Sequence, residues 1–362
     1  MVDWKNPPRL FIPGPVKVNE DVLQQLARPT LGHRGKEYAQ LHSQTTDMLK
    51  KILFTNQNVF LSTSSASGIW EASIRNCVDF SETVLCTCCG AFSDKWADVA
   101  RSCGRNVDEI KVDWGKPVLP EMIDEKLSTG KYAAITLMYN ETSTGLMNPL
   151  YEVSEMMKEK YPDVLVFVDA VSAMVALPLH FDQLGWDVAF ASVQKAFAIP
   201  PGLAVAAVSN RALEKSKKVP QRGYYFDFQA FAKSAEKNQT PATPSIPHIM
   251  ALNYQCEKIL AEGMENVWKR HKKMGDFVRN WAKKKFALFC EEKYASNTLT
   301  AVKNTRGINV ADVINAIQKK HNTVFGNGYG DLKEKTFRIA HMGDITLDEV
   351  KELLGWIDEE IG

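Results

Sequence analysis

Apolar residues in this chain fall into short unbroken runs separated by stretches with a helical period. The runs Val59–Ser62, Val84–Cys86, Ala133–Met138, Val164–Val168, Val188–Ala191 and Leu203–Val208 carry no charged residue. Continuous runs of this kind predict strands buried on both faces, as in a parallel sheet. Helical spacing lies between them: about Tyr38 to Leu53, with Leu41, Met48, Leu49 and Ile52 in step, then Asp94 to Cys103 and Leu150 to Lys160. A further helix is expected from Asn19. Before it, Pro7, Pro8, Pro13 and Pro15 hold the chain extended. Strands alternating with helices predict an α/β domain around a mostly parallel sheet.

The pattern changes after a polar stretch containing Pro241, Pro244 and Pro247. One long helical period runs from about Ile249 to Phe286 and leads into a smaller second unit. That unit is expected to hold strands at Ala287–Phe289, Leu299–Val302 and Thr336–Ala340, and helices at Val310–His321 and Leu347–Ile357. The expected division is residues 1–258 for an N-terminal arm and large domain, and 259–362 for a small C-terminal domain. No internal repeat is visible.

Composition narrows the class. The 362 residues are 45% hydrophobic and 24% charged, with a net charge of +1, which gives no reason to expect a nucleic-acid or membrane partner. The basic runs Lys272-Lys273 and Lys283-Lys284-Lys285 fall in a helical pattern and read as a solvated face. No apolar stretch approaches the roughly 18 residues of a membrane span. The segment Met1 to Pro8 lacks the apolar core of a signal peptide, and Glu359-Glu360-Ile361-Gly362 is not a targeting signal. A cytoplasmic protein is expected. The seven cysteines do not form a disulfide framework, and Cys86, Cys88 and Cys89 lack further ligands at metal-binding spacing. No metal is expected.

The chemistry centres on two residues. Asp169 ends the run Val164–Val168, and Lys195 follows the run Val188–Ala191. Strand ends of open α/β sheets border the ligand crevice. Taken singly, a strand-end Asp is often a helix cap and a lone Lys a surface charge. As a pair they match pyridoxal 5'-phosphate, which takes a lysine amine for its Schiff base and a carboxylate beside its pyridinium nitrogen. Four other features follow strands or lie in one. Ser65-Ala66-Ser67 opens a helix, where it acts either as a cap or as an anion cradle. Phe92 is either core or a ring-stacking residue. Thr142 offers a hydroxyl. Arg338 sits between apolar neighbours and needs an acidic partner, from within the protein or from a substrate.

These motifs resemble the class V aminotransferases among the fold-type I pyridoxal-phosphate enzymes, and most nearly the alanine–glyoxylate and serine–pyruvate branch. The resemblance is carried, in order, by Pro13-Gly14-Pro15, Gly32-His33-Arg34, Ser65-Ala66-Ser67, Asn140 to Gly145, Asp169 to Ser172, Gln194-Lys195, Pro200-Pro201-Gly202 and Arg338. It implies a large domain with a mostly parallel seven-stranded sheet and a smaller C-terminal α/β domain. It also implies a homodimer with shared active sites. By this likeness Lys195 and Asp169 are catalytic. Ser65, Ala66, Ser67 and Gln194 hold the cofactor phosphate. Phe92 and Val171 flank the ring, and Thr142 meets its phenolic oxygen. Thr240 reaches the phosphate of the neighbouring subunit, and Gly14 and Arg338 bind the substrate carboxylate. Some relatives have Tyr where this chain has Lys237, and others Trp where it has Phe92. The implied reaction moves an amino group from alanine or serine to a 2-oxo acid such as glyoxylate or pyruvate.

Alternatives within the fold are a phosphonate or phosphoserine aminotransferase, using His33 and Arg34 for a second phosphate, and a lyase. A cysteine desulfurase needs a mobile catalytic Cys in the small domain, where Cys290 is the one cysteine present.

Overall fold

The computed structural model describes residues 6–362; Met1 to Lys5 lie outside the described residues. In chain order the strands are β1 (Arg9–Phe11), β2 (Asn58–Ser62), β3 (Thr83–Cys88), β4 (Asn106–Lys111), β5 (Tyr132–Met138), β6 (Asn140–Glu141), β7 (Leu146–Met147), β8 (Leu165–Asp169), β9 (Val188–Ser192), β10 (Ala204–Val208), β11 (Ala287–Leu288), β12 (Leu299–Lys303), β13 (Thr323–Asn327) and β14 (Thr336–Ala340). A seven-stranded sheet has the order β2-β10-β9-β8-β5-β3-β4. Strands β9, β8, β5, β3 and β4 pair in parallel, and β10 runs antiparallel to both its neighbours. The expected α/β fold with a mostly parallel seven-stranded sheet is therefore what the chain forms.

The unbroken apolar runs are explained by layers on both faces of this sheet. Along β8, Leu165 and Phe167 enter one core, while Val166 and Val168 enter the other. In β9, Val188 and Phe190 face the first core, and Ala189 and Ala191 the second. Each large side chain so buried contributes about 1.5–3 kcal/mol. With both faces dry, the strand ends are the places left for polar chemistry.

A second sheet has the order β1-β13-β14-β12-β11. Its own core includes Phe337, Ile339, Val302 and Phe325. The N-terminal arm, grouped by sequence with the large domain, places β1 at the edge of this sheet, parallel to β13 with Phe11 opposite Phe325. The helix expected from Ile249 to Phe286 is two helices, Ile246–Glu262 and Met264–Lys285. Gly263 separates them at φ +83, a conformation that glycine takes without steric cost. The helical apolar spacing continues on both sides of it, so periodicity alone did not show the break.

A short hairpin, β6–β7, joins the two units. At its turn Gly145 has φ +70, and its carbonyl accepts a hydrogen bond from Ser296 N at 2.9 Å. A Cβ at Gly145 would lie 2.8 Å from Ala301 N in β12. Gly145→Ala should therefore lower stability by about 2 kcal/mol, from left-handed strain and overpacking together. Thermal and denaturant unfolding measure this; an unchanged midpoint would show that the seam yields.

Candidate active site

The carboxyl ends of the parallel strands converge, and the sequence-predicted residues meet there. Asp169 is the last residue of β8 and is buried. Its Oδ2 accepts from Trp70 Nε1 at 2.7 Å, and its Oδ1 from Val171 N at 2.8 Å. Burial pushes its carboxyl up to about 7, although the bonds from Val171 and Trp70 oppose that rise. Lys195 lies on the turn between β9 and β10, and its amine donates to the Pro13 carbonyl. Burial lowers the amine to about 8, the Arg338 charge adds to the drop, and Asp169 opposes it. A carboxyl raised and an amine lowered beside one cavity is a pattern concentrated at functional sites.

That cavity has a volume of about 160 Å³. Asp169 and Lys195 line it together with Phe92, Thr142, Val171 and Gln194, and Ser65, Ala66 and Ser67 close another side. The Ser65 hydroxyl makes no capping bond to the helix Ala66–Cys77, so the cap interpretation of this turn is not realised. Both Ser65 and Ser67 are exposed, at a helix N-terminus where amide dipoles favour an anion. Ala66 N is already bound to Ser192 Oγ at 2.7 Å. The Gln194 amide has a buried Oε1 with no partner among the described residues. A half-turn of the amide would present its NH₂ group instead.

Thr142 Oγ1 and Ser172 Oγ share a hydrogen bond of 2.8 Å. Gly14 is packed against the lysine: its φ is +134, and a Cβ there would lie 2.6 Å from Lys195 Nζ. Arg338 donates from Nε to Asn327 O at 3.0 Å and from Nη1 to Thr142 O at 3.4 Å. It has no carboxylate partner among the described residues, so the internal ion pair is not formed, and burial lowers its guanidinium to about 10. Thr240 is not brought into the cavity. It is buried, and its hydroxyl donates to Ala242 O at 2.7 Å, whereas Thr243 in the same segment is exposed.

Sequence reasoning missed three contributors. Trp70 lies one turn inside the helix that Ser65 precedes, so its indole faces the end of β8; helical spacing from the Ser-rich turn was the available signal. Ser192, the last residue of β9, fixes the helix start. Glu141 is fully buried and accepts from Phe92 N at 3.2 Å, Ser93 N at 3.0 Å and Ser143 N at 3.0 Å, as well as from the Ser93 and Ser143 hydroxyls. It thereby anchors the start of the helix Ala91–Ser102 and the position of Phe92.

Residues 20–329 match the family model described as aminotransferase class-V. An uncharacterised aminotransferase of Methanocaldococcus jannaschii is 35% identical over 96% of this chain and 91% of its own length. The L-aspartate–glyoxylate aminotransferase of Paracoccus denitrificans is 31% identical over 93% of this chain and 87% of its own. The structure of an alanine–glyoxylate aminotransferase from Nostoc sp. superposes with a TM-score of 0.94 at 27% identity, covering 100% of this chain and 97% of that one.

The lowered Lys195 amine has a measurable consequence. In the cofactor-free protein its reaction with an amine-directed reagent should rise with pH to a midpoint near 8, while exposed lysines follow the ordinary value of about 10.4. Site-resolved mass spectrometry after short labelling reads this out. A Lys195 midpoint coinciding with that of the exposed lysines would remove burial as an influence on the amine.

Proposed function

This chain belongs to the class-V aminotransferases, pyridoxal-phosphate-dependent enzymes, and we propose that Lys195 and Asp169 are its catalytic pair in transfer of an amino group from a small amino acid to a 2-oxo acid. One observation carries this reading: an amine lowered to about 8 and a carboxyl raised to about 7 line the same cavity. Two of the relatives named above are an L-aspartate–glyoxylate and an alanine–glyoxylate aminotransferase, which share glyoxylate. Likeness to the alanine–glyoxylate and serine–pyruvate branch gives alanine or serine as donor, with glyoxylate or pyruvate as acceptor.

The residues fit the cofactor. A buried, unpartnered amide oxygen on Gln194 marks a polar wall awaiting a ligand. The open helix start at Ser65, Ala66 and Ser67 suits a phosphate. Phe92 and Val171 provide apolar faces, and Thr142 a hydroxyl. When bound, pyridoxal phosphate supplies a carbonyl that condenses with amines and a ring that accepts electrons as the α-proton leaves. Asp169 supplies the negative charge opposite a ring N–H, and its bonds from Trp70 and Val171 fix the carboxylate in place. Lys195 takes the proton from the substrate α-carbon and returns it, a role suited to an amine that exchanges protons near pH 8. Gly14 leaves room beside that amine, and Arg338 takes the substrate carboxylate with its planar fork.

The desulfurase alternative finds no support at Cys290. That thiol is buried, donates to Gly145 O at 3.3 Å, and is pushed by burial up to about 12. Burial favours its neutral thiol form. For a second phosphate, Arg34 is already engaged by Gln239 Oε1 at 2.9 Å and Thr240 O at 3.0 Å.

A homodimer is part of this reading. Tyr224 is 93% exposed and Tyr225 43% exposed, and Tyr225 is tied to Thr63 O at 3.2 Å, two residues before Ser65. Large aromatics left open beside a phosphate cradle suit a surface covered by a second copy. For Thr240 to serve that copy, its hydroxyl must leave Ala242. A cytoplasmic location accords with the cysteines, all of them free thiols.

Two variants test the assignment. Lys195→Ala should abolish multiple-turnover transamination while the purified protein still holds cofactor. Arg338→Lys should lower kcat/KM for every α-amino acid by tenfold or more, about 1.4 kcal/mol, and leave the absorbance of bound cofactor unchanged. Intact amino-acid kinetics with lowered thermal stability would make Arg338 a structural residue. Separately, sedimentation should show a dimer; a monomer that binds cofactor tightly and turns over would remove the shared site.

A further inference from the structure

Outside the cofactor cavity, two cations meet on one aromatic ring. Tyr329 follows β13, and its ring centre lies 5.0 Å from that of Phe92. Its hydroxyl accepts from Lys95 Nζ at 2.6 Å. The same ammonium is 4.9 Å from the Tyr329 ring centre and 5.6 Å from that of Phe92. Arg338 Cζ approaches the Tyr329 ring at 5.5 Å. The separation of Lys95 and Arg338 therefore cannot exceed their two distances to that ring laid end to end.

Neither cation has a carboxylate partner among the described residues. The acids on Lys95's own helix are engaged elsewhere: Asp94 accepts from Trp114 Nε1 at 3.2 Å, and Asp98 pairs with Arg101 at 2.9 Å. Contact with an aromatic face and a bond to a neutral phenol stabilise a cation less than a paired carboxylate would. Two positive charges facing one ring also repel each other. Because Tyr329 accepts from Lys95, its own O–H remains free to donate. An anion placed here would receive that proton donor and the ammonium together.

We propose that Lys95 and Tyr329 form a subsite for a second, side-chain carboxylate on the amino donor, which departs from the alanine or serine given above by likeness and makes short dicarboxylic amino acids the preferred donors. The proposal rests on Arg338 holding the α-carboxylate, as in the preceding reading. Lys95 Nζ lies 4.9 Å and Arg338 Cζ 5.5 Å from the Tyr329 ring centre, so a donor held at Arg338 by its α-carboxylate has Lys95 within reach of a second carboxylate one or two methylenes further on. One ammonium and one phenol match a single carboxylate; a phosphate dianion calls for a further cation, and Arg34 is committed to the segment at Thr240.

The test uses the holoenzyme and the loss of the cofactor's visible absorbance on mixing with L-aspartate, L-glutamate, O-phospho-L-serine or L-alanine. Wild type should show a higher kcat/KM for aspartate or glutamate than for alanine or phosphoserine. Lys95→Met should cut the ratio of aspartate to alanine by about tenfold or more, and Lys95→Arg should restore most of it. Calorimetry with succinate, which cannot react, should show the same loss of affinity in Lys95→Met, with little change for propionate. An unchanged ratio in Lys95→Met, or phosphoserine or alanine preferred by wild type, overturns the subsite while leaving the aminotransferase assignment intact. If no amino acid alters the absorbance, the donor reading itself fails, and the subsite with it.

Discussion

The site is organised by the cost of burying a carboxylate without a cation beside it. Asp169 is buried at the end of β8 and is given one indole and one backbone amide. Those donors offset only part of the desolvation, and the carboxyl rests at about 7. Lys195 is the mirror case: an amine in the same dry pocket, brought down to about 8. The burial that stabilises the sheet is also what shifts both groups.

Glu141 shows the opposite solution to the same problem. It is equally buried, but three backbone amides and two hydroxyls converge on it at the start of a helix. A carboxylate so fully supplied is a structural anchor. The geometry leaves no slack, since a Cβ at Gly90 would lie 2.3 Å from Glu141 Cγ. Holding this anchor places Phe92 at the cavity wall.

How much of this was legible follows from the kind of signal each part leaves. Strands buried on both faces write continuous apolar runs, so β5, β8, β9 and β10 were found within a residue or so, and with them Asp169 and Lys195. Strand β4, Asn-Val-Asp-Glu-Ile-Lys, lies at the sheet edge and is mostly solvated; its mixed polarity leaves no such mark. Strand β1 was expected to be extended, but which sheet it would join depends on pairing with residues more than three hundred positions away. Trp70, Glu141, Lys95 and Tyr329 meet neighbours distant in sequence, and no local period reveals such a meeting. Thr240 was placed by likeness alone, and its buried hydroxyl faces its own segment.

The order β1-β13-β14 in the second sheet ties together groups that the chain keeps far apart. Pro13 and Gly14 follow β1, Tyr329 follows β13, and Arg338 lies within β14. Gly326 sits between them, where a Cβ would be 3.2 Å from Pro13 Cδ and 3.5 Å from Arg338 Cβ. These adjacent strands are hydrogen-bonded into one stiff plate. Any tilt of that plate against the seven-stranded sheet must carry the arginine, the tyrosine and the glycine together, like the fingers of one hand. Through the Pro13 carbonyl the Lys195 amine is tied to the same plate, so the lysine and the arginine share a single mechanical coordinate.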